Sequence, residues 1–82
     1  MPKKLGKVKY AIKKLQGVWG WAYKDENYIE IEERLEPYAK LNTLCHELYH
    51  IFEPRRGEMR VEHFGNEVER IARRLKLLQE DD

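Results

Sequence analysis

Pro37-Tyr38-Ala39-Lys40-Leu41-Asn42-Thr43-Leu44-Cys45-His46-Glu47-Leu48-Tyr49-His50-Ile51-Phe52 is the stretch on which the reading of this chain turns. Tyr38, Leu41, Leu44, Cys45, Leu48 and the pair Ile51/Phe52 recur at three- and four-residue intervals, the spacing of one helix face. Pro37 suits a first helical position, where the N–H it lacks has no intrahelical partner to lose. Glu53-Pro54-Arg55-Arg56-Gly57 holds the breakers that end the run. The spacing predicts a helix of about four turns.

Upstream, Val18-Trp19-Gly20-Trp21-Ala22-Tyr23 and Tyr28-Ile29-Glu30-Ile31-Glu32 flank the turn-forming Lys24-Asp25-Glu26-Asn27 and read as a hairpin. Ile29 and Ile31 face one side of it; Tyr28, Glu30 and Glu32 face the other. Before the hairpin, Val8, Tyr10 and Ile12 alternate with lysine or alanine as a half-buried strand does. Leu5, Val8, Ile12 and Leu15 also fit a helix face, but Gly6 and Gly17 bracket the segment and favour the strand. Downstream, a second helix is expected from about Glu58 to Leu78, with Phe64, Val68, Ile71, Leu75 and Leu78 as an apolar stripe. The terminal Glu80-Asp81-Asp82 is expected to be disordered. The expected fold class is therefore α+β, a small three-stranded antiparallel sheet packed on two helices.

Eighty-two residues make a single domain, residues 1–82. With 41% apolar and 38% charged residues its core is thin, so a bound metal would matter to stability as well as to chemistry. The net charge of +1 gives no reason to expect nucleic acid or an anionic membrane as a partner. Its distribution is uneven: residues 1–24 carry seven lysines and no acid, and residues 25–36 carry six acids against Arg34. The lysines read as a solvated strand face and terminus, since no stacking motif accompanies them. Cys45, the one cysteine, excludes an intrachain disulfide and any multi-cysteine zinc site. No apolar run has the length of a membrane span and the start lacks a signal-peptide core, so the expectation is a soluble, cytoplasmic protein.

On the first helix, His46 and His50 lie four residues apart and project side by side, so both imidazoles can ligate one ion. Glu47 is rotated roughly 100° from His46, which puts its carboxylate beside such an ion instead of on it. That arrangement suits Zn2+ hydrolysis: zinc lowers the pKa of a bound water and Glu47 accepts the proton as general base. A catalytic zinc wants a third protein ligand, and Glu58, Glu62, His63, Glu67 and Glu69 are the candidates downstream. Tyr23, Tyr28, Tyr49 and His63 are candidate donors to an oxyanion. Trp19 and Trp21 are expected as core or sheet-face anchors.

His46-Glu47-Leu48-Tyr49-His50, followed by Glu62-His63-Phe64-Gly65-Asn66 on the second helix, resembles the gluzincin pattern of zinc metallopeptidases. Trp19-Gly20, Tyr28-Ile29-Glu30-Ile31 and Thr43-Leu44-Cys45-His46-Glu47 are similar to small phage-type metallopeptidases and to minigluzincins, with ImmA/IrrE-like peptidases as broader relatives. The resemblance spans residues from about 8 to 78, and only the His-Glu-x-x-His run in it is specific. It implies a minimal zincin-like domain, zinc metalloendopeptidase activity on a peptide or protein substrate, and Glu62 as third ligand beside His46 and His50. Gluzincins place a carboxylate four residues past the ligand glutamate, where it orients a ligand histidine; on that alignment this chain has Asn66. The resemblance also implies an extended substrate lying along an edge strand, for which Tyr28 to Glu32 is the candidate. A reading of another class is a non-catalytic binding or regulatory module in which zinc ties the two helices together.

Overall fold

The computed structural model describes residues 6–78, so the expectation for Glu80-Asp81-Asp82 lies outside the described residues. The fold is α+β, with three strands, β1 (Lys9–Lys13), β2 (Gly20–Tyr23) and β3 (Tyr28–Glu32), followed by two helices, α1 (Pro37–Phe52) and α2 (Glu58–Leu75). The alternation in β3 sorts its side chains as expected, with Ile29 and Ile31 buried on the helix side. Those two residues, Tyr38, Val61 and Ala72 form the core.

The sheet is mixed, not antiparallel throughout. Its order is β1-β3-β2; β2 runs antiparallel to β3 while β1 runs parallel to it, with Tyr10 beside Ile29 and Ile12 beside Ile31. Two polar clamps explain why β1 lies on the far side of β3. Asn27 adopts a left-handed conformation (φ 52°) that closes the turn, and its amide nitrogen donates to the carbonyls of Gly6 (3.3 Å) and Lys7 (3.0 Å). At the other end, the buried carboxylate of Glu32 accepts the Leu15 N–H at 2.8 Å, while Arg34 binds that carboxylate and also donates to the Leu15 carbonyl at 3.0 Å. The link from β1 to β2 is thereby held across the end of β3. Hydrogen bonds from Arg34 and from the Leu15 N–H hold the Glu32 carboxyl far below its usual range, against the effect of burial.

Helix α1 begins where Pro37 predicts. The Glu36 carboxylate caps it, accepting from the N–H groups of Tyr38 (3.2 Å) and Ala39 (2.9 Å). Helix α2 stops at Leu75, short of the expected Leu78. Lys76 turns left-handed (φ 54°), and the Tyr38 hydroxyl captures the departing chain, donating to the Leu78 carbonyl at 2.7 Å.

Helix α1 packs on β2, β3 and α2, whereas α2 packs chiefly on α1. The buried row of α2 is Val61, Gly65 and Ala72, and the expected stripe residues Phe64, Ile71 and Leu75 remain exposed. Gly65 supplies the reason, because a Cβ there would collide with the side chain and carbonyl of Asn42. Only a glycine lets the helices approach this closely, and the approach leaves Phe64 at the margin of the contact, half exposed against Tyr49. The polar row is drawn against α1 instead: the Asn42 amide donates to Asn66 and to Glu69, both at 2.9 Å, and Arg73 lies 4.7 Å over the Tyr38 ring. No helix among the described residues is long and apolar enough to cross a membrane.

Candidate metal centre

His46 and His50 project from the middle of α1 into a cleft of about 580 Å³ between β2, α1 and the start of α2. Their rings lie edge to face with centroids 4.9 Å apart, as residues one helical turn apart allow. Both face the same carboxylate: Glu58 Oε1 is 3.0 Å from His46 Nε2, and Glu58 Oε2 is 3.0 Å from His50 Nε2. Glu58 is the first residue of α2, directly after the breaker loop, so the loop brings a carboxylate across to the helix that holds the imidazoles.

Among the described residues, His46, His50 and Glu58 are the group whose ligand atoms converge, all within 4.8 Å of one another. Glu62, one turn further along α2, lines the same cleft but stands outside that group. Asn66 also lines the cleft, but its amide oxygen accepts from Asn42 and not from an imidazole. Glu67 and Glu69 are committed elsewhere, to Arg70 and to Arg73 with Asn42. His63 lies neither in the converging group nor on the cleft wall.

The electrostatics separate the two glutamates of the site. Burial works against the charged form of Glu58, but the hydrogen bond from His46 and the charge of His50 prevail and hold its carboxyl below the ordinary value. Glu47 goes the other way: it is 8% exposed, and burial pushes its carboxyl up, with His46 opposing and Glu58 adding to the rise. A buried carboxylate whose pKa is raised holds a proton more tightly than an exposed one, so Glu47 is the stronger base of the two glutamates. His50 Nδ1 is buried without a hydrogen-bond partner among the described residues. No chain family known from its sequence model, no curated protein and no solved structure matches this chain.

The opposite wall of the cleft is β2. Trp19 and Trp21, expected as anchors, are 65% and 51% exposed and line the cleft. Gly20 lies between them and faces α1 so closely that a Cβ would meet Thr43, Glu47 and the Glu30 carbonyl at 3.0 Å or less. That makes Gly20 part of the site, since its missing side chain is the space into which Glu47 packs. The signal available in the sequence was a glycine interrupting a strand, which marks close approach of another segment. Gly20→Ala is expected to cost about 1–3 kcal/mol through overpacking, read as a lower melting temperature; an unchanged melt would show that the strand is not seated so tightly.

The structure also revises the expected edge. Tyr28–Glu32 is the central strand, because β1 pairs on its far side, and the edge that borders the cleft is β2. None of the four expected oxyanion donors lines the cleft. Tyr23 and Tyr28 donate to Glu30, at 3.3 and 2.9 Å, and Tyr49 packs on Phe64 with ring centroids 5.0 Å apart.

Proposed function

We propose that this chain is a zinc-dependent metallopeptidase of gluzincin type, with His46, His50 and Glu58 as metal ligands and Glu47 as general base. The observation that carries the reading is the convergence of two imidazole Nε2 atoms on one carboxylate at 3.0 Å, beside a buried glutamate that takes no part in the group. Two histidines and a glutamate are a ligand set of catalytic zinc, and the cleft is open beside them. A zinc ion bound there would polarise a peptide carbonyl and acidify a water. Glu47 holds the abstracted proton and returns it to the leaving amine. Strand β2, unpaired on its outer side among the described residues, offers that edge to an extended peptide, and Trp19 and Trp21 border the channel.

With Glu58 as the ligand, the chain also fits the pattern that the resemblance implies. Glu62 then stands four residues past the ligand, in the place of the carboxylate that orients a ligand histidine, and Asn66 no longer has to fill it. Purified chain is expected to bind one equivalent of zinc and to cleave an unstructured protein such as casein, with cleavage lost on chelation and regained on adding zinc. Stoichiometric zinc without any cleavage would favour the non-catalytic zinc-stabilised module; absence of zinc binding would refute both.

A further inference from the structure

Among the described residues the sheet has a second unpaired edge, on the side away from the cleft. In a parallel ladder, alternate residues direct both backbone groups toward the same neighbour. Lys9 N–H donates to the Asn27 carbonyl at 3.0 Å, and the Lys13 carbonyl accepts from Glu33 N–H at 3.0 Å, so Lys9, Ala11 and Lys13 are the residues bonded to β3. The N–H and C=O groups of Tyr10 and Ile12 therefore point outward, and no described strand pairs with them.

Their side chains are no better covered. Tyr10 is 72% and Ile12 54% exposed, although both lie on the helix side of the sheet, opposite Ile29 and Ile31. With Leu41 and Leu44 of α1 and Leu78 they line a groove of about 360 Å³ that is almost wholly apolar apart from Lys40 at its wall. The border is cationic. Lys9 and Lys13 stand on the other face of β1; Lys13 reaches Glu30 at 3.3 Å, and among the described residues no carboxylate pairs with Lys9 or Lys40.

We propose that the outer edge of β1 is a docking site for an extended acidic segment of a partner protein, added as a fourth strand with alternating apolar and acidic side chains. β1 already accepts that pattern on its inner side, where Tyr28-Ile29-Glu30-Ile31-Glu32 sends isoleucines inward and glutamates toward the lysine face. A fourth strand of the same kind drops its apolar residues into the groove and sets its acids beside Lys9 and Lys13. A second copy of this chain fits worse, because β1 paired antiparallel with itself about Ala11 sets Lys9 of each copy opposite Lys13 of the other.

The test uses the full chain and two capped peptides as long as β1, one alternating Glu with Ile and the other Lys with Ile, read by amide hydrogen exchange resolved by residue. The Glu peptide is expected to slow exchange at Tyr10 and Ile12 by about tenfold or more, and the Lys peptide to bind about tenfold more weakly. Lys9→Glu should narrow or reverse that preference. Ile12→Pro, which removes an outward N–H that an edge strand can spare, should abolish protection at Tyr10. Equal binding of the two peptides, or no protection at Tyr10 and Ile12, overturns the proposal. So does protection that rises with the concentration of the chain alone, which would assign the edge to self-association. None of these readouts depends on zinc or on cleavage.

Discussion

Glu47→Gln is expected to leave one zinc bound per chain while lowering kcat/KM for casein cleavage by about a hundred to ten thousand fold, the range that a positioned general base contributes. Glu47 is not in the group whose ligand atoms converge, so the exchange of carboxylate for amide leaves His46, His50 and Glu58 untouched. Glutamine has nearly the shape of glutamate, and the close packing of the side chain against Gly20 and Thr43 therefore survives. What disappears is the proton acceptor. Burial raises the Glu47 carboxyl above its ordinary value, which makes it a stronger base than an exposed glutamate, and an amide has no comparable affinity for a proton. The measurement is metal analysis alongside initial cleavage rates, with circular dichroism to confirm the fold. Equal cleavage by variant and native chain would remove Glu47 from the chemistry, and lost zinc would move it into the ligand set.

Residue patterning was enough to place the candidate ligands His46 and His50 on a helix, and the reason is local. Tyr38, Leu41, Leu44, Cys45 and Leu48 carry a helical period, Pro37 marks the start, and the structure's α1 spans Pro37–Phe52. Strand β3 was equally legible, since Ile29 and Ile31 have to face one side. Sheet order was not legible, because alternation within β1 is the same whichever side of β3 it joins. The choice rests on contacts between residues far apart in the chain, Asn27 with Gly6 and Lys7, and Glu32 and Arg34 with Leu15. The rotation of α2 was hidden for a similar reason. Phe64, Ile71 and Leu75 outweigh Val61, Gly65 and Ala72 in any count of apolar size, yet the smaller residues are the buried ones because Gly65 admits Asn42. An apolar stripe identifies a helix, and complementarity of shape decides which part of it is buried.

Glu58→Ala is expected to weaken zinc binding by roughly a thousandfold, about 4 kcal/mol, since it removes one of only three protein ligands. Glu62→Ala should weaken it far less, by about ten to a hundred fold, as loss of an orienting partner does. Sequence favoured Glu62 only through the resemblance, since residues four apart on α2 share one face and both carry a carboxylate. Their positions relative to α1 differ. Glu58 opens α2 and reaches both imidazoles at 3.0 Å, while Glu62 sits a turn further along the cleft wall, beyond the converging group. Ligand removal also takes away a link between the helices, so zinc should raise the melting temperature of the Glu62→Ala chain and do little for Glu58→Ala. Titration with a competing chelator gives both affinities. The reverse ranking would return the third ligand to Glu62, and equal losses would mean that the two carboxylates share the ion.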